Sequence, residues 1–147
     1  SRMPDFHETT LRVRYAETDQ MGVVYHANFI IWFEVGRVEM LRSLGFSYKE
    51  MEEQDDTHIV VVSVKCDYKR PARYDDPVRI RTRLTDARSR ILRFAYEIFH
   101  DATGELLATG ETSHVVCDGQ GRPKSLPEKY RAHFAAVASS AEQSATA

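Results

Sequence analysis

Tyr15-Ala16-Glu17-Thr18-Asp19-Gln20-Met21-Gly22-Val23-Val24-Tyr25-His26-Ala27-Asn28-Phe29 joins two patterns of different period. Before it, residues 9–16 alternate, with Leu11, Val13 and Tyr15 against Thr10, Arg12 and Arg14, which predicts a half-buried strand. After it, residues 27–44 turn helical. Phe29, Ile30, Trp32, Phe33, Val35, Met40, Leu41 and Leu44 leave little polar surface, so this helix is expected to be wrapped over most of its circumference. Asn28 or His26 is placed to cap its start, and Gly45 to stop it. The loop between puts an acid, Asp19, just ahead of a helix start, where backbone N–H groups lack intrahelical partners and carry partial positive charge. Such groups can hold the oxyanion of a carbonyl under attack, while a nearby carboxylate supplies the nucleophile or the base.

Beyond the helix, residues 47–56 predict a shorter helix running into an acidic turn. Four strand patterns follow, over residues 58–70, 77–85, 91–100 and 105–117. In the first of them Val60, Val62, Val64, Cys66 and Tyr68 are expected on one face, and Pro71 ends the run. Asp101-Ala102-Thr103-Gly104 predicts a hairpin turn. Residues 127–138 predict a C-terminal helix opened by Pro127, with a frayed Ala/Ser-rich tail after it. Short turns imply antiparallel pairing, and one curved antiparallel sheet around one apolar helix is the simplest way to bury both patterns. The class is α+β, with residues 1–147 read as a single domain whose core spans about residues 9–118.

Composition excludes several function classes. A chain of 147 residues with 42% hydrophobic and 29% charged residues suits an ordinary globular domain. Its net charge of −2 gives no global attraction to nucleic acid, and the stripe Arg79, Arg81, Arg83 lacks interleaved aromatics. No apolar run is long enough for a transmembrane span, and no apolar signal segment opens the chain, so the expected location is cytoplasmic. Cys66 and Cys117 are expected as buried free thiols. His7, His58, His100, His114 and His133 show no metal-ligand spacing, and no Gly-x-Ser-x-Gly elbow or phosphate-cradling glycine loop occurs.

The run Asp19-Gln20-Met21-Gly22-Val23-Val24-Tyr25-His26-Ala27-Asn28-Phe29 resembles the active-site loop of the 4-hydroxybenzoyl-CoA thioesterase family. These are hot-dog-fold acyl-CoA thioesterases, and the likeness leans toward the branch that includes the Tol-Pal-associated enzymes. It continues through Trp32-Phe33-Glu34 and Asp67-Tyr68-Lys69-Arg70-Pro71-Ala72, covering about residues 9–118. The resemblance implies a five-stranded antiparallel sheet curved around a long central helix. It also implies hydrolysis of a CoA thioester to a free acid and CoA. Asp19 would act as nucleophile or general base, a choice the residues leave open. The His26 N–H would polarise the thioester carbonyl, with its imidazole and Tyr25 beside it at the helix entry.

Gly22 lets the backbone turn or approach substrate, and Asn28 caps the helix, fixes the loop or meets substrate. Glu34, on the long helix, is where a second hot-dog branch keeps its carboxylate, and is read here as a packing or inter-subunit contact. The hydratase pattern Asp-x-Asn-Pro-x-His is absent. Coenzyme A carries phosphates, so cations are expected near the pocket mouth. Candidates are Lys65, Lys69, Arg70, Arg93 and, at a strand turn, Arg88 and Arg90. The family pattern further implies a homodimer or homotetramer with active sites at the subunit interface, where Val62 would line the acyl pocket or the contact. No dissociable cofactor and no metal are expected, coenzyme A being part of the substrate. Two alternatives stay open: a thioesterase acting on acyl carrier protein, and a non-catalytic acyl-binding or scaffold hot-dog protein.

Overall fold

Strand β1 (His7–Arg12) leads through a 3-10 turn (Tyr15–Glu17) and the Asp19 loop into α1 (Ala27–Ser43) and α2 (Tyr48–Asp55). Strands β2 (His58–Tyr68), β3 (Pro77–Ala87), β4 (Ile91–His100) and β5 (Leu106–Cys117) follow, and then α3 (Glu128–Thr146). The computed structural model describes residues 6–146, with side chains described to residue 138. The strands form one antiparallel sheet in the order β1-β3-β4-β5-β2. The short β3–β4 and β4–β5 turns make hairpins, whereas β2 crosses to the far edge and pairs with β5. This is the hot-dog arrangement, a curved sheet holding a long helix. The C-terminal helix, expected over residues 127–138 with a frayed tail after it, instead continues to Thr146.

Alternation selects the inner face. Val78, Ile80, Thr82 and Leu84 of β3 and Leu92, Phe94, Tyr96 and Ile98 of β4 are all buried. Against them α1 lays Phe29, Trp32, Phe33, Gly36 and Met40, which fall on one side of a helix. Phe33 stacks on Tyr96 with centroids 4.4 Å apart. Gly110 on β5 passes directly beneath that ring, where any β-carbon would collide with Phe33.

Three local expectations are corrected. First, β1 runs from His7 to Arg12 rather than over residues 9–16. Val13 still pairs with the β2–β3 connection, but the chain then folds into the 3-10 turn and leaves Tyr15 79% exposed. Second, α1 is not wrapped over most of its circumference, since Ile30 and Ile31 are exposed. Third, Val60 and Val64 do not share a face. A bulge between Val61 and Ser63 shifts the register, so Val60 lies opposite Val115 while Val64, Cys66 and Tyr68 lie opposite inward-facing Thr112, Gly110 and Ala108. Cys117 is buried as expected, but Cys66 is only half-buried.

A polar chain crosses the interior between α1 and the sheet. The Tyr96 hydroxyl and Thr112 Oγ1 lie 2.6 Å apart, and His114 Nε2 lies 2.8 Å from the same Thr112 oxygen. The His114 ring meets the Phe94 edge, and its Nδ1 has no partner among the described residues. Burial, helped by the Arg37 guanidinium, pushes the His114 pKa down to about 4. Between pH 6.5, its ordinary value, and about 4 the unfolded chain therefore carries a proton at His114 that the folded chain refuses. Stability from this group is whole above that window, falls as pH drops through it, and levels off below; the full loss is about 3 kcal/mol. Denaturant midpoints across this window should fall more steeply for the wild type than for His114→Gln. Parallel curves would contradict the assignment.

Candidate active site

The loop before α1 is anchored by a buried acid. Glu17 Oε1 accepts from the Arg14 N–H (2.8 Å) and Oε2 from the Trp32 indole N–H (2.9 Å), tying the loop to the helix core. The Glu17 carbonyl accepts from the Tyr25 N–H (2.8 Å) and from Asn28 Nδ2 (2.9 Å). One residue thus receives four donors from both arms of the loop. Sequence reading passed over Glu17. The signal was present in the indole at Trp32, a buried donor that needs an acceptor.

Two residues on, Asp19 opens a tight turn. Its carbonyl accepts from the Gly22 N–H (3.0 Å), and its Oδ1 accepts from the Met21 N–H (2.8 Å), an Asx turn. Gly22 closes the turn at φ +78°, in the left-handed region that suits glycine. The returning arm is pinned by bridges of Thr18 to Val24 and of Val23 to Arg73. Asp19 is half-buried, and its Oδ2 forms no hydrogen bond among the described residues.

The helix start is open. His26 takes helical dihedrals ahead of Ala27, and neither it nor Asn28 caps the helix with its side chain. The expected cap is thus corrected, because Asn28 spends its amide on Glu17. The N–H groups of His26 and Ala27 have no hydrogen-bond partner among the described residues. On the acceptor side, the His26 carbonyl receives the Phe29 N–H (3.2 Å) and the Tyr68 hydroxyl of β2 (2.8 Å).

Asp19 and His26 line one cleft of about 360 Å³. Val23, Val24 and Phe29 add apolar lining, and Tyr68 at the end of β2 and the segment after it, Lys69 to Pro71, line it as well. Burial, then contact with the Cys66 thiol, pushes the Tyr68 hydroxyl up to about 12, so it stays protonated as a donor. Lys69 and Arg70 stand at the wall; Arg70 faces Glu105 at 3.9 Å, with both side chains exposed.

Of the residues singled out in the sequence, the fold brings Asp19 and His26 together at the cleft, with Gly22 shaping the loop and Asn28 bracing it. Tyr25 is exposed, its ring 4.4 Å from the His26 imidazole. Val62 is 57% exposed on the edge strand, six residues and about 20 Å from Tyr68. Arg88 and Arg90 sit in the β3–β4 turn, at the end of the sheet opposite the cleft, and Arg88 pairs with Asp86 at 3.2 Å. Within one chain these three stand apart from Asp19. Glu34 is exposed on α1 and does not line the cleft.

The cleft is lined by the half-buried carboxylate of Asp19, by His26 at the helix start, and by the cations Lys69 and Arg70. Comparison with known proteins gives the family. Residues 13–134 match the model of the thioesterase-like superfamily. The putative acyl-CoA thioesterase YneP of Bacillus subtilis is 37% identical over 128 residues, covering 84% of this chain and 91% of that protein. The acyl-CoA thioester hydrolase YbgC of Escherichia coli O6:H1 is 36% identical over 125 residues, covering 84% and 92%. Among solved structures, a DHNA-CoA thioesterase from Staphylococcus aureus superposes with a TM-score of 0.83 at 33% identity, covering 94% of this chain and 91% of that one.

Proposed function

The chain belongs to the thioesterase-like superfamily, and we propose that it hydrolyses acyl-CoA thioesters to a free acid and CoA with Asp19 as the reacting carboxylate. The observation that carries this reading is that Asp19 and His26 line one cleft, with Asp19 Oδ2 and the first N–H groups of the helix start without partners among the described residues. In the reaction either Asp19 attacks the thioester carbon, releasing CoA thiolate and leaving an anhydride that water opens, or it takes a proton from a water that attacks directly. Both routes place negative charge on the carbonyl oxygen, which the helix-start N–H groups stabilise. No dissociable cofactor is needed for either.

The active unit in this reading is a dimer joined through β2. That strand is a sheet edge with Val60, Val61, Val62 and Val64 exposed, an apolar run that a lone chain leaves open to pairing. Two-fold pairing of β2 strands runs antiparallel and sets the His58 end of one against the Tyr68 end of the other. The β3–β4 turn lies at the His58 end, since the Val116 N–H bonds the Arg90 carbonyl and Val116 is opposite Ile59. The second copy's Arg88 and Arg90 would then approach this cleft's mouth, joining Lys69 and Arg70 around the CoA phosphates. Two free cysteines fit a reducing compartment, and we place the enzyme in the cytoplasm.

Release of CoA thiol from acetyl-, medium-chain, palmitoyl- and benzoyl-type esters tests the activity. Cleavage of at least one is expected, and faster than the same acyl group on carrier protein. The reverse preference would select the carrier-protein reading, and no cleavage of either would leave an acyl-binding protein. Sedimentation equilibrium should give at least twice the chain's 16.9 kDa. A monomer would rule out the shared cleft.

A further inference from the structure

We propose that Tyr68 is a positioning residue for this reaction, its hydroxyl holding and polarising the peptide at the start of α1 that receives the oxyanion. The inference rests on the thioesterase reading above. Tyr68 stands at the last position of β2, and its hydroxyl donates to the His26 carbonyl at 2.8 Å, a contact between residues 42 apart in the chain. Its ring is itself fixed, meeting Phe29 edge-on at 5.3 Å and the His26 imidazole edge-on at 6.2 Å. The Phe29 ring in turn packs on Trp32, which bonds Glu17. Tyr68 is 46% exposed on its outer side, and these ring contacts hold its inner side so that the hydroxyl reaches the His26 carbonyl.

The atom it reaches matters. The His26 carbonyl and the Ala27 N–H belong to one peptide group. A hydrogen bond donated to the carbonyl oxygen draws electron density through the amide and makes its N–H a stronger donor. That N–H and the His26 N–H beside it have no partner among the described residues. The same bond clasps the helix end to the sheet edge, so the donors keep a fixed position relative to Asp19 across the cleft. Preorganised donors of this kind act on the transition state more than on bound substrate. Tyr68 should therefore appear in kcat rather than in KM.

The test is Tyr68→Phe, which keeps the ring and its packing on Phe29. We expect kcat to fall about tenfold with KM within about twofold of wild type, and an unchanged elution volume on gel filtration. A second readout uses a benzoyl-type CoA ester bound to Asp19→Asn, where turnover is slow enough for vibrational spectroscopy. Its carbonyl stretch should sit lower with Tyr68 than with Phe at that position. An active wild type whose Tyr68→Phe variant keeps full kcat overturns the proposal while leaving the thioesterase reading intact. So does a variant that loses thermal stability and rate together with no change in the carbonyl stretch. A wild type that cleaves no thioester overturns both.

Discussion

Asp19→Asn should lose at least about 10²-fold in kcat on the best CoA ester while folding as the wild type does. The substitution is unusually clean here. Asp19 Oδ1 accepts the Met21 N–H in the Asx turn, and asparagine offers a carbonyl oxygen in the same place, where it is as well suited as aspartate. What changes is the other position, where a free carboxylate oxygen becomes an NH2 that can neither attack a carbonyl nor take a proton. Loop geometry, thermal midpoint and KM should stay near wild type, so the rate loss reads the chemistry alone. A loss of 10²-fold corresponds to about 3 kcal/mol of transition-state stabilisation. A covalent acyl–Asp19 adduct caught by rapid quench and mass spectrometry would select the nucleophilic route; its absence at every time point in a single turnover would select the general base. Full activity in Asp19→Asn would move the carboxylate role away from the loop, and Glu34 would be the next residue to change.

The fold and the two ends of the site were legible because they depend on local signals. Helical spacing from Ala27, alternation in β3 and β4, and glycines at turn positions each act within a few residues. The Asp19 loop was visible for the same reason. What failed were inferences about what covers a surface. Val60, Val62 and Val64 alternate, yet a bulge turns them to different faces, and the strand is an edge of the sheet. Tyr15 continues the alternation of β1, but the chain has already left the sheet. Contacts that brace the site escaped for a related reason: Tyr68 meets His26 across 42 residues, and Glu17 meets Trp32 across 15. No periodicity carries such a pairing. Arg88 and Arg90 mark a further limit, since their approach to Asp19 in our reading requires a second copy of the chain.

Glu17 yields the larger stability prediction. The residue is 4% exposed, and both carboxylate oxygens are occupied by donors that have no other partner among the described residues. Removing the side chain in Glu17→Ala leaves the Arg14 N–H and the buried Trp32 indole N–H unpaired, at about 1–3 kcal/mol each, and opens a small cavity between loop and helix. The combined loss should be about 3–5 kcal/mol, a fall in melting temperature of roughly 10 °C for a chain of this size. The Glu17 carbonyl still receives Tyr25 and Asn28, so the helix arm of the loop stays tethered while the arm carrying Asp19 loosens. Turnover well below the melting point should therefore fall as well, about tenfold, because a misplaced reacting group costs rate even when present. Glu17→Gln separates bracing from chemistry. Glutamine has one oxygen for two donors, so its NH2 must face one of them, and the variant should lose about 1–3 kcal/mol, between wild type and Glu17→Ala. If Glu17 were itself the reacting acid, both variants would lose turnover equally with little change in stability. A Glu17→Gln protein that melts with the wild type and has lost its activity would assign Glu17 to the chemistry; graded losses in the order Gln then Ala would assign it to holding Asp19 in place.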